Sequence, residues 1–251
     1  AEAALASEGP SQDDLIAFFD RRPPITNPAR ARYALALAGA QRREALEVAR
    51  QAWRGGAMSG PAEMTLLSLY GASLTAEDHA ARADALLWQG EAEAVDRLLV
   101  YLAEQDRPIS LARLALVRGS MPESAGVPVP AGAMSDPGYV FNLVRHLRAR
   151  GLPGEAARVF TARAGAFVRP ALDAEAFVGE LLALAKASGS SDAARIAGRT
   201  DDLFAPGTDV SRLSFALRDR YTDLMWLGGT RALWTLGDGS AAAPMFRRYG
   251  D

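Results

Sequence analysis

The chain has 251 residues, 49% of them apolar and 23% charged, with a formal net charge of −2. That is ordinary globular composition with material for one or two packed cores, and it excludes disorder as the main state. Near-neutral charge without blocks of like charge gives no field to recruit nucleic acid, and a chain without cysteine has no disulfide, thiol nucleophile or thiolate metal site. No run of about 18 apolar residues could span a membrane. Alanine fills 51 positions while Val, Ile and Thr are sparse, so the strongest helix former dominates and an all-α fold is expected.

The opening Ala1-Glu2-Ala3-Ala4 suits a processed export product and a trimmed chain equally. Beyond it, Ser11 can cap a helix that runs to Arg21 and stops at Pro23-Pro24. Asn27, followed by Pro28 at the first helical position, opens a helix to Ala38, and Gly39 turns the chain. Residues 43–54 and 62–70 read as the next two helices, and Thr75 with Asp78 makes a capping-box start for a helix ending near Gln89. Residues 120–138 form a Pro/Gly loop that could join lobes 1–119 and 139–251 of a single domain over 1–251. Asp136 and Pro137 then repeat the capping device, and a second break falls at Ala205 to Thr208.

From about Ser214 to Leu236 a long helix carries two apolar stripes. Leu217, Tyr221, Leu224, Met225, Gly228 and Ala232 form one, and Trp226, Thr230, Leu233 and Trp234 form the other, which predicts burial on both sides. Gly228-Gly229 within it costs roughly 1 kcal/mol per glycine against alanine, which a close helix crossing would offset. Pro244 inside the last helix should kink or delay it.

One local pattern returns along the chain. A helix ends on bulky apolar residues, a glycine follows, and an alanine lies four to six residues later with an apolar residue near the second turn. Its instances are Leu87-Trp88-Gln89-Gly90 with Ala94 and Leu98, Leu147 to Gly151 with Ala156 and Phe160, and Leu233-Trp234 to Gly237 with Ala242 and Phe246. Gly39 with Ala45 and Gly189 with Ala193 are weaker copies. Each reads as an antiparallel hairpin, with glycine supplying a left-handed helix stop and alanine permitting close approach. Hairpins that cannot bury their own apolar faces stack, so the expected architecture is an α-superhelix (solenoid) forming an open arc. The glycine spacings of 51, 61, 38 and 48 residues exclude a strict 34-residue array.

Chemistry is sparse. Phosphate-binding loops, dinucleotide fingerprints and zinc-protease helices are missing, so no cofactor and no metal site is expected. His79 and His146 stand among arginines with no nucleophile beside them, and filling of core or surface is the favoured role. Asp13-Asp14, Glu91 with Glu93, and Asp201-Asp202 read as first-turn charges or solvated faces. Trp53, Trp88, Trp226 and Trp234 read as core packing before sugar stacking. Arg145, His146, Arg148 and Arg150 make one helix end basic, either a solvated last turn or an anion-binding patch.

Glu77 to Leu99, EDHAARADALLWQGEAEAVDRLL, resembles the N-terminal superhelical domain of the soluble lytic murein transglycosylases through Arg82, Asp84, Leu86, Leu87, Trp88 and Gly90. Leu217 to Gly250 is similar to that family's Trp-containing helix, Leu-Gly-Asp turn and Ala-x-x-x-Phe helix, and Asp136 to Phe160 to its Asp-Pro start and Arg-x-x-Gly hairpin. The resemblance covers about residues 75–251 well and the first 70 loosely. It implies a periplasmic protein of the cell wall, in a family whose lyase domain cleaves the MurNAc–GlcNAc bond of peptidoglycan to leave 1,6-anhydroMurNAc ends. That lysozyme-like domain and its glutamate have no counterpart before Asp251, and Glu123-Ser124 lacks the Gly-Leu-Met-Gln segment of the family's catalytic dipeptide.

The expectation is therefore a non-catalytic arc that positions murein strands and supports a catalytic domain, with no catalytic residue of its own. The alternative is a helical-repeat scaffold for another envelope protein. Arg145, His146, Arg148, Arg218 and Tyr221 are the candidate ligand-binding residues. The expected partners are peptidoglycan strands, with the catalytic domain or an envelope protein beside them.

Overall fold

A computed structural model describes residues 11–250 of the chain, so the reading of Ala1 to Ala4 and the terminal Asp251 lie outside the described residues. Those residues are all-helical, without a strand among them. The chain divides into two compact units between Ser110 and Leu111, within a helix, and the loop 120–138 belongs to the second unit.

The first unit contains α1 (Gln12–Arg21), α2 (Asn27–Gly39), α3 (Ala45–Arg54), α4 (Gly60–Tyr70), α5 (Ala76–Gln89) and α6 (Ala92–Leu98), and α7 (Arg107–Val117) crosses the division. Local chemistry sets most of the boundaries. Ser11 and Asp14 close a capping box before α1, and Thr75 and Asp78 close one before α5. The cap of α2 is Thr26 rather than Asn27, because the Thr26 hydroxyl accepts from the Ala29 N–H. Asn27 instead donates from Nδ2 to the carbonyls of Ala52 and Ala57, tying α2 to the end of α3. Gly39 is the last residue of α2 and not its left-handed stop; that role falls to Gln41 at φ 55°. Absence of a side chain at Gly39 leaves room for Gln12, whose Nε2 donates to the Ala36 carbonyl at 2.6 Å. Leu15, Ile16, Phe19 and Leu37 form one core group, and Ala31, Ala34, Ala49, Ala52 and Leu66 form the next.

The second unit holds α8 (Pro137–Ala149), α9 (Pro153–Thr161), α10 (Ala174–Ala187), α11 (Ser190–Gly198), α12 (Phe215–Thr230) and α13 (Gly239–Gly250). Asp136 caps α8 by accepting from the Tyr139 N–H at 2.8 Å. Successive helices pack on one another, and α8 on α10, α9 on α11, α10 on α12 and α11 on α13 as well. Phe141, Phe177 and Phe160 meet edge to face at 5.4 and 5.7 Å, and Leu181, Leu184 and Ile196 of the same unit are fully buried. Fully buried alanines 156, 157, 193 and 197 let helix backbones approach.

The three strong hairpin motifs turn at left-handed glycines, at φ 81° for Gly90, 75° for Gly151 and 68° for Gly237. Gly189 is different: it precedes α11 as its N-cap in extended conformation. The Gly228-Gly229 pair sits at a close crossing, where a methyl on Gly228 would collide with the Ala197 side chain of α11 and one on Gly229 would meet Phe246 of α13. Pro244 neither delays nor ends α13, which already begins at Gly239. The long helix expected from Ser214 to Leu236 ends as an α-helix at Thr230 and continues as a π-helical turn, Arg231–Thr235. Burial on both of its sides is not found. The stripe from Leu217 to Ala232 is buried, but Trp226 is 47% exposed, Leu233 39% and Trp234 72%.

Candidate functional site

An open cleft of about 890 Å³ lies in the second unit. Its floor is α12 with the short turn Thr200–Leu203, and its walls are the irregular segments 166–170 and 204–211. Phe167, Phe204, Phe215 and Tyr221 supply aromatic surface, and Arg169, Arg218, Arg248, Asp201, Asp202, Asp209 and Asp219 supply charge. A smaller hollow of about 410 Å³ in the first unit is bounded by Phe19, Asp20, Tyr33 and Arg42.

A buried arginine holds the 166–170 wall in place at Phe167. Arg163 donates from Nε to the Phe160 carbonyl at 3.0 Å and pairs with Asp202 at 2.9 Å, and its guanidinium lies 3.6 Å from the centre of the Phe167 ring. Arg199 pairs with the same Asp202 and donates to the carbonyls of Thr161 and Arg163 at 2.9 and 2.8 Å. Burial lowers the Arg163 pKa, and the neighbouring Arg199 charge lowers it further, against the pull of Asp202. Asp202 is thus committed to two cations and serves as a structural anchor.

Asp201 does parallel work on the cleft floor. Tyr221 donates its hydroxyl to Asp201 Oδ1 at 2.7 Å, and Arg248 approaches the other oxygen at 2.8 Å. Burial and the hydrogen bond to Asp201 push the Tyr221 phenol far above its usual range, so it stays protonated and donating. The pair Asp201-Asp202 does lie in the first turn of the short helix Thr200–Leu203, as expected, and both carboxylates are engaged by other side chains as well. Among the carboxylates of the cleft whose pKa is displaced, Asp209 is lowered by its bonds to Ser211.

The five sequence-derived candidates separate in space. Arg218 and Tyr221 line the cleft, whereas Arg145, His146 and Arg148 lie away from its lining. Arg218 is exposed, donates to the Ser211 carbonyl at 3.0 Å and stands near the Phe215 ring, so part of its guanidinium fork faces the cleft. Arg148 forms a bidentate pair with Glu180 of α10, and Arg145 is exposed over Phe141. His146 is buried, and burial together with Arg150 lowers its pKa despite a backbone hydrogen bond to Leu116. Sequence reading missed Phe167, Phe204, Arg169 and Arg248, because the two walls and α13 come together only in the fold.

The Arg82-x-Asp84-x-Leu-Leu-Trp element has a structural role. Arg82 is buried, donates to the Gly56 carbonyl at 2.6 Å and the Trp53 carbonyl at 3.2 Å, and lies over the Trp53 ring at 4.2 Å. Glu63 neutralises it at 3.1 Å. Asp78 is buried beside it and bonded to Arg54 and Thr75. Trp53 and Trp88 are core residues as expected; Trp226 and Trp234 are not, and meet edge to face at 6.4 Å on the surface. Glu123-Ser124 lies exposed in a short turn. Among the described residues no cluster of His, Asp and Glu could hold a metal ion, and no helix is long and apolar enough to cross a membrane. Compared with protein-family models, curated proteins and solved structures, the chain matches none.

Proposed function

We propose that this chain is a helical superhelix of the lytic murein transglycosylase type, acting in the periplasm to hold peptidoglycan strands while a separate lysozyme-like domain supplies the glycosidic chemistry. The observation that carries this reading is the cleft of about 890 Å³ with Phe204 and Phe215 beside Arg218 and Asp219. Aromatic faces suit the C–H faces of pyranose rings, and arginine forks suit the carboxylates of murein lactyl and peptide groups. The superhelical part of the reading rests on the packing of helices on their first and second successors and on the three glycine-turned hairpins.

Co-sedimentation with purified murein sacculi tests it. The wild-type chain is expected to pellet with sacculi, and the Phe215→Ala/Arg218→Ala double variant to lose most of that retention while keeping its helical circular dichroism. A wild-type chain left in the supernatant refutes the proposal. The exposed Leu233 and Leu236 favour the second reading, a scaffold for another envelope protein. Retention by a protein partner and not by sacculi would select it.

A further inference from the structure

The cleft does not end at the lining of its floor. On α12 the residues Phe215, Asp219, Thr222 and Trp226 succeed one another on one face at helical spacing, and the first three line the cleft. Trp226 stands one turn past Thr222, about 16 Å along the axis from Phe215 at 1.5 Å per residue. There it meets Trp234 of the π-turn at 6.4 Å and Phe246 of α13 at 5.8 Å, each ring steeply inclined to it. Phe215 is 76% exposed and Trp234 72%. α13 ties the two ends together, carrying Phe246 against Trp226 and, two residues on, Arg248 against Asp201 in the cleft.

We infer that this face of α12 extends the cleft into a track for an elongated glycan, with Phe215 as the platform at one end and the Trp226–Trp234 pair as the platform at the other. A docked protein helix would require apolar anchors at successive turns. Here the turns between the aromatic ends carry Arg218, Asp219 and Thr222. Rings separated by hydrogen-bonding groups match a chain of pyranoses, which presents apolar ring faces and hydroxyl edges in alternation. Opposite charges side by side at Arg218 and Asp219 likewise suit a hydroxyl-rich partner better than one of a single sign. A track of this length spans several sugar rings, so it distinguishes polymer from disaccharide.

This inference rests on the saccharide reading of the cleft, and chain-length dependence separates the two. Peptide-stripped murein glycan, fractionated into disaccharide and long-strand pools, is titrated into the full chain by calorimetry. Long strands are expected to bind about tenfold tighter per strand than the disaccharide, the equivalent of about 1.4 kcal/mol. Trp234→Ala alone, at an exposed position, and Trp226→Ala/Trp234→Ala together should remove most of that advantage and leave disaccharide binding unchanged, whereas Phe215→Ala should weaken both. Equal affinities for the two pools, or long-strand affinity untouched by the tryptophan variants, overturn the track and leave the cleft reading standing. Binding of neither pool overturns both.

Discussion

The two histidines show what burial does to a titrating group. His79 lies between Trp53, edge-on at 5.7 Å, and Tyr101, stacked at 5.1 Å, and its Nδ1 has no hydrogen-bond partner. Burial lowers its pKa, Asp78 opposes that, and Arg82 reinforces it. Since the folded value lies below the unfolded one, the unfolded chain takes up this proton first as pH falls. Stability is therefore intact above the ordinary histidine range and declines as pH drops through it. Urea unfolding at pH 7.5 and pH 5 should show that decline, and His79→Phe should remove part of it, with His146, shifted in the same direction, supplying another part. An equal loss in wild type and variant would mean that His79 is not involved. Arg82 makes the complementary case: Arg82→Met strips the carbonyls of Trp53 and Gly56 of their donor and Glu63 of a buried partner. A loss of about 3 kcal/mol is expected in the same urea assay. Lysine should not rescue it, because a point charge cannot serve two carbonyls and a carboxylate as the planar fork does.

At the scale of the element, the glycines divide by what surrounds them. Gly228→Ala forces a methyl into Ala197 at the crossing of α12 and α11, and Met245 of α13 closes the other side. Overpacking there should cost about 1–3 kcal/mol in chemical unfolding. Gly154, in the first turn of α9, has open space where its side chain would go, so Gly154→Ala should be neutral or stabilising by up to about 1 kcal/mol. Reversal of that order would remove the close crossing from the account. Helix starts at Ser11, Thr75 and Asp136 were legible because a cap is a contact over three residues. The cap at Thr26 was not, since Asn27 is an equally good capping type and only its distant partners, Ala52 and Ala57, engage it elsewhere. The second stripe of α12 misled for a related reason: periodicity reports that apolar residues share a face, and whether another helix covers that face is a tertiary matter.

For the molecule as a whole, the near-neutral charge of −2 bears on how it would hold a polymer. Several of its cations are paired locally, as Arg148 is with Glu180, Arg163 and Arg199 with Asp202, and Arg248 with Asp201. At about 1 M salt, where the Debye length is about 3 Å, sacculus binding should lose the share that Arg218 contributes and keep the share carried by aromatic faces and hydroxyl contacts. Release at moderate salt in the sedimentation assay would instead point to ionic attachment. Arg218 and Tyr221 could be singled out from sequence because they share a helix, but their partners Asp201, Arg248 and Phe204 lie on other elements.

By itself the sequence determined that this chain is helical, where the turns at Gly90, Gly151 and Gly237 fall, though not those expected at Gly39 and Gly189, and that Gly228-Gly229 marks a tight crossing, since these depend on propensity, caps and spacing within a few residues. Only the tertiary structure decided which aromatic stripe is covered, which aspartates are bound by arginines and where a cleft opens. Those outcomes require segments such as 166–170, 204–211 and α13 to meet across long stretches of chain, and no local pattern encodes that meeting.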